Sequence, residues 1–329
     1  MKASRAVAVV ALAAVLTIGC NPQQLAQRSG APQRLSIATG GTGGVYYPYG
    51  GGVAKIIGES IPNVEVTAEV TAASVDNMKF LRDGKSDIAF TLADTLDDAV
   101  KGQGPFKDFG KVPARSLAAL YANYTHVVTV ANSGVNRLAD LRGKVVSTGA
   151  AGSGTESLAL RILEAAGMKA GTDLQAQNLS VAQSVDALKD GKIDAFFWSG
   201  GLPTASILDL ANTPNTQMKM IPNDEVLGTL QKTYGSSLYF RLVIPKTAYT
   251  DLDADVPVVG VTNLLVVSDR MSDDLAYNII KALFDRQDEL IAIHPQAKDL
   301  SLNTAIVGSP APFHPGAIKY YGERNVWKQ

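Results

Sequence analysis

The string Leu81-Arg82-Asp83-Gly84-Lys85-Ser86-Asp87-Ile88-Ala89-Phe90 returns farther along the chain as Leu188-Lys189-Asp190-Gly191-Lys192-Ile193-Asp194-Ala195-Phe196, one residue shorter. Each copy reads as the end of an amphipathic helix, a glycine C-cap, an aspartate and a buried strand. Upstream, Ser74 precedes one helix and Ser180 the other, and Gln183 three residues after Ser180 makes a capping box. Helix, Asp-Gly turn and strand recur in any α/β protein. Read as a duplication, the string calls for two similar lobes.

The rest of the body alternates in the same way. Short apolar runs at 35–39, 64–70, 87–92, 116–121, 127–130, 144–148, 195–198, 238–245 and 264–267 read as strands. Between them, Val53, Ile56 and Ile57, and later Leu158, Ile162, Leu163 and Ala166, repeat at helical spacing. This alternation predicts an α/β protein with largely parallel sheets. In such sheets ligands sit beyond the carboxyl ends of the strands.

Two glycine clusters stand at that edge. Gly40 to Gly44, followed by Val45-Tyr46-Tyr47-Pro48-Tyr49 and Gly50 to Gly52, place seven of the chain's 30 glycines directly after a strand. The second, Gly149-Ala150-Ala151-Gly152-Ser153-Gly154-Thr155, joins another strand to a helix. Neither supplies G-x-G-x-x-G or a phosphate-loop Gly-Lys-Ser/Thr, so a nucleotide loop is excluded. A strand-to-helix turn of small residues instead presents free N–H groups to an anion, or is a plain N-cap. The other turns at this edge are 71–74, 91–94 and 198–203. There Asp94 either meets a ligand ammonium or caps its own turn, and Tyr46, Tyr47 and Trp198 either wall a pocket or pack in a core.

The chain of 329 residues is 46% hydrophobic and 19% charged, enough for two domains with sizeable cores. Lys2 and Arg5 precede an uncharged run from Ala6 to Ile18 that is too short for a membrane span and reads as an export signal. Cys20, the only cysteine, follows Gly19 as in a bacterial lipobox, with Thr17 where that motif usually carries leucine. We expect a signal peptide at 1–19, lipidation of Cys20 and a flexible polar tether over 20–33. Removing Lys2 and Arg5 from the 30 basic residues leaves 28 against 31 acidic ones, with no excess to attract nucleic acid.

Catalytic patterns are weak. His126, His294 and His314 are the only histidines and no two have helix-face metal spacing, so no metal site is expected. G-x-S-x-G is absent. His314, between prolines in Pro310-Ala311-Pro312-Phe313-His314-Pro315-Gly316, reads as turn-forming.

Several motifs carry a family resemblance over nearly the whole body: 37–48 (IATGGTGGVYYP), Ser74-Val75-Asp76-Asn77, Asp87-Ile88-Ala89-Phe90 with Asp94, 141–147 (LRGKVVS), Gly152-Ser153-Gly154-Thr155 and 314–321 (HPGAIKYY). In these the chain resembles the TAXI-type solute-binding proteins of tripartite ATP-independent periplasmic (TRAP) transporters. The resemblance implies the type II periplasmic-binding-protein fold, two α/β lobes with a hinge crossed twice: lobe one at 34–128 plus 262–329, lobe two at 129–261. It implies ligand contacts from Thr42, Gly43, Tyr46 or Tyr47, from Ser74 with Asn77, and from Thr91 and Asp94. The facing lobe would contribute Ser153, Gly154, Thr155, Trp198 and Ser199. Leu92 and the segment 197–201 depart from the usual family pattern. The function implied is capture of a small organic anion, a glutamate-like or dicarboxylate compound, and its delivery to a TRAP permease. No cofactor and no catalysis are implied, and the location is extracytoplasmic, on a membrane through the lipid anchor. The alternative is a ligand sensor for a membrane receptor kinase.

Overall fold

The computed structural model describes residues 31–327, and the expected signal peptide at 1–19 and Cys20 lie outside them. From Gln33 onward the chain forms one compact unit. β1 (Gln33–Ala38) leads to α1 (Tyr46–Ser60), β2 (Val64–Glu69) to α2 (Ser74–Asp83) and β3 (Ile88–Leu92) to α3 (Ala93–Lys101). β4 (Ala114–Val130) then carries the chain into a second lobe. That lobe contains β5 (Val145–Ser147), α4 (Gly154–Ala165), β6 (Gln175–Gln177), α5 (Val181–Lys189) and β7 (Ala195–Gly200). It continues with α6 (Ala205–Ala211), β8 (Met218–Met220), α7 (Leu227–Tyr234) and β9 (Tyr239–Ile244). β10 (Val256–Ser268) returns to the first lobe, which α8 (Asp273–Asp285), α9 (Gln287–Ile293) and α10 (Pro315–Glu323) complete.

The strand order is β2-β1-β3-β10-β4 in the first lobe and β6-β5-β7-β4-β8 in the second. In each, two parallel pairings build the first three strands and an antiparallel strand from the inter-lobe crossing comes next. The sheets are therefore mixed rather than largely parallel. β10 pairs antiparallel with β9, the strand directly before it, as well as with β3 and β4.

The duplicated string holds equivalent places. Asp87 donates its N–H to the Ser36 carbonyl (3.1 Å) and accepts the Ser36 N–H at Oδ2 (2.8 Å). Asp194 makes the same pair with Val145, at 2.8 Å for both bonds. Each aspartate thus stitches the start of the third strand to the first strand of its lobe. Gly84 closes α2 in the left-handed conformation, φ 69°, as its place after the helix requires. In the second copy Asp190 is the C-cap, and Gly191, φ 67°, follows it.

Three sequence expectations are corrected. The runs 116–121 and 127–130 are one strand, β4: the link between them stays in the ladder, paired with β10 and then β7, and its Asn123, Thr125 and His126 are buried. The run 264–267 is the end of the longer β10, and the three-residue strands β6 and β8 carry no apolar alternation long enough to be read. Ser74 is the first residue of α2 rather than its cap. Ala73 is the N-cap residue, at φ 92°, and the Ser74 hydroxyl accepts the N–H of Leu92 (3.2 Å).

Apolar faces at helical spacing fill the core, and the cluster around α4 joins residues of both lobes. Val53, Ile56 and Ile57 of α1 and Leu158, Ile162 and Leu163 of α4 are fully buried. Gly50 and Gly52 let α1 lie against its neighbours. A Cβ at Gly50 would stand 2.4 Å from Thr39, and one at Gly52 2.7 Å from Ile293 of α9, while Gly51 faces open space. Among the described residues no helix is long and apolar enough to cross a membrane.

Candidate functional site

A cavity of about 70 Å³ lies where the carboxyl ends of the strands of both lobes face each other. The first lobe contributes Gly40, Gly41 and 44–46 of the turn after β1, the turn 71–74 after β2, Leu92 at the end of β3, and Tyr121 from β4. The second contributes Gly149, Ala150 and 153–155 after β5, Ser180 and Val181 at the start of α5, and 198–200 of β7. Four helices, α1, α2, α4 and α5, thus begin at the cavity wall. The first N–H groups of a helix have no intrahelical partner. Ser153 and Ser180 each satisfy one of them, through Glu156 N (3.0 Å) and Gln183 N (3.4 Å), whereas α1 and α2 have no side-chain cap.

Among the described residues that line the cavity none is Asp, Glu, Lys, Arg or His. Its polarity comes from hydroxyls, phenols, an indole and backbone. These are held by a buried relay across the hinge strands. The Tyr46 hydroxyl donates to Asn263 Oδ1 (2.5 Å), Asn263 Nδ2 to Asn123 Oδ1 (2.7 Å), and Asn123 Nδ2 to Ser199 Oγ. Ser199 N–H then donates to Thr155 Oγ1 (3.2 Å). Burial raises the Tyr46 phenol far above its ordinary pKa, so it stays a neutral donor.

A second relay orients the indole. Trp198 Nε1 donates to Thr204 Oγ1 (2.8 Å), and Thr204 N–H donates to the Tyr249 hydroxyl (3.1 Å). His126 Nδ1 lies 3.0 Å from the Tyr124 carbonyl and must donate there, so its Nε2 accepts from the Tyr249 hydroxyl at 3.2 Å. Burial holds the His126 pKa down at about 4, which keeps this ring neutral.

The lobes meet through bonds to backbone carbonyls as well as through buried side chains, Arg161 and Tyr239 on Asp94 among them. Asp76 N–H donates to the Gly152 carbonyl (3.0 Å), and Ser206 donates to the Gly43 carbonyl from both its N–H (3.3 Å) and its hydroxyl (3.2 Å).

Of the residues expected at the site, Tyr46, Ser74, Ser153, Gly154, Thr155, Trp198 and Ser199 are brought together on the cavity wall. The others lie outside it. Gly43 and its neighbour Thr42 belong to the rim, where Gly43 meets Ser206, and Tyr47 points away, 37% exposed. Asn77 is a buried brace, donating to the carbonyls of Ala38, Thr39 and Phe90. The Thr91 hydroxyl turns back to the Leu92 carbonyl (3.3 Å). Asp94 caps its own turn through Thr95 N (2.7 Å) and accepts from Tyr239 (3.0 Å) and Arg161 (3.5 Å), so its lone pairs are spent within the protein. Tyr121, Asn123 and Asn263 were not among the expected residues. The only sequence signal for the two asparagines is a carboxamide inside an otherwise apolar run, and Tyr121 carries none. His314 is the N-cap of α10, as its turn motif suggested, with Nδ1 accepting from Gly316 N (3.2 Å).

The chain matches the NMT1-like family over residues 37–324. Its fold is similar to that of the alkanesulfonate-binding protein SsuA from Xanthomonas axonopodis pv. citri bound to MOPS. The two are 17% identical, with 91% of this chain and 96% of that one covered and a TM-score of 0.50. A protein from Bordetella bronchiseptica RB50 is similar at 18% identity, with 89% of each chain covered and a TM-score of 0.51. At these identities the likeness establishes the architecture, the two-lobed fold of periplasmic binding proteins. By its match across most of its length, the chain belongs to the NMT1-like family.

Proposed function

We propose that the chain is an extracytoplasmic solute-binding protein of the TAXI type, which captures a small organic anion between its lobes and delivers it to a TRAP permease. In this reading the lobes are 34–128 with 262–329 and 129–261, and Cys20 is the lipid-bearing residue that holds the protein to a membrane. The protein binds without catalysing a reaction and uses no cofactor. One observation carries this reading: the N-termini of α2 and α4, from opposite lobes, converge with Ser74, Ser153 and Thr155 on one cavity. Helix N-termini favour negative charge, and a partly buried site screens that preference less than open water does. A ligand touching both lobes also stabilises their closed arrangement, the signal a permease reads. Native mass spectrometry of the purified protein, followed by calorimetric titration of carboxylates and sulfonates, tests it. We expect saturable one-to-one binding of an organic anion. Failure of every anion in a broad panel to bind would overturn the reading.

A further inference from the structure

Tyr121 is 3% exposed and lines the cavity, yet its hydroxyl has no hydrogen-bond partner. An unpaired buried hydroxyl is costly, which points to a partner outside the chain. The ring sits on β4, a strand shared by both lobes, so an atom bonded to it touches the hinge itself. The cavity adds two limits. A cavity of about 150 Å³ takes benzene, so one of about 70 Å³ keeps the ligand compact. Its wall offers no carboxylate to pair an ammonium and no cation to pair a second carboxylate, and either group left unpaired in a largely desolvated site is disfavoured. Asp94, a buried carboxylate of the first lobe, is not on this wall and is already held by Tyr239, Arg161 and Thr95.

We infer that the ligand is a compact organic monoanion without an ammonium group, of the class of three- or four-carbon monocarboxylates, and that Tyr121 donates a hydrogen bond to it. This rests on the anion-binding reading above and narrows it away from amino acids and dicarboxylates. The apolar part of the ligand packs on Trp198, Leu92 and Val181, and its charge lies toward the helix N-termini.

The test is calorimetry on the full chain with pyruvate, 2-oxobutyrate and propionate as probes, and alanine, glutamate and succinate as counter-probes. At least one monocarboxylate binds, and the counter-probes bind at least a hundredfold more weakly. Tyr121→Phe lowers that affinity about tenfold, in keeping with loss of a hydrogen bond to a charged group. Its melting temperature without ligand stays level or rises, because the variant removes an unpartnered hydroxyl. Tight binding of alanine, glutamate or succinate overturns the inference while leaving a binding protein in place. Unchanged affinity in Tyr121→Phe overturns the role of Tyr121, whose hydroxyl then meets only water. Binding of none of the six probes overturns the narrowed ligand class, and a larger anion found to bind in the wider panel would show that the binding reading itself survives.

Discussion

Gly44 and Gly154 face the cavity from opposite lobes, and each lies where the other lobe leaves no room for a methyl group. A Cβ on Gly44 would stand 2.7 Å from the far edge of the Trp198 ring, and one on Gly154 would stand 2.7 Å from both Leu92 Cδ1 and Ser74 Oγ. Each clash is with the facing lobe, so substitution acts on closure more than on the fold of either half. Gly154→Ala is therefore expected to weaken ligand binding about tenfold, in keeping with an overpacking cost of about 1–3 kcal/mol. Calorimetry would measure the affinity and thermal unfolding of the free protein would measure the smaller loss of stability. Equal losses in both would show that the contact belongs to the fold. The glycine clusters were legible in the sequence as strand-to-helix turns. Their steric role was not, because the side chains that crowd them come from residues more than a hundred positions away in the case of Trp198.

At the scale of elements, the helix starts divide into capped and uncapped ones. Ser180 with Gln183 forms the capping box that their spacing announced, and its loss in Ser180→Ala should cost about 1 kcal/mol. The check is a lowered melting temperature with ligand affinity reduced by less than in the following variant. Ser153→Ala with Thr155→Ala removes a cap and the acceptor of the Ser199 N–H together. We expect it to lower affinity about tenfold while circular dichroism keeps its helical signature, and an unchanged affinity would place binding elsewhere. Local chemistry of this kind survives translation from sequence to structure because a cap depends on neighbours three residues away. The relay from Tyr46 through Asn263 and Asn123 to Ser199 does not, because it joins four distant elements and depends on the register of β4 against β10 and β7. The same register explains why the polar link in β4 was misread as a break.

Across the whole molecule, two buried groups respond to acid in opposite senses. His126 has its pKa lowered to about 4 by burial, so the stability its neutral ring contributes is complete above pH 6.5 and is lost as pH falls through about 4. A shift of that size corresponds to about 3 kcal/mol. Asp98 is pushed up to about 6, chiefly by burial and despite Arg161, with Asp94 and Asp97 adding repulsion. Its contribution is fullest below its ordinary carboxylate range and is lost as pH rises through about 6. The two slopes oppose each other between pH 4 and 6.5. Asp98→Asn should therefore steepen the fall in melting temperature on acidification, and differential scanning calorimetry across that range checks it; a slope equal to the parent's would remove Asp98 from the account. The two-lobed architecture itself was legible from the repeated string, whose Asp87 and Asp194 now occupy matching bonds. The crossing of β4 and β10 between the lobes has a further consequence, for the order of assembly. β3 lies between β1 and β10, and β10 begins at Val256. As the chain emerges from its N-terminus, β3 keeps an unpaired edge until the whole second lobe has been made. The part synthesised first is the last to be finished.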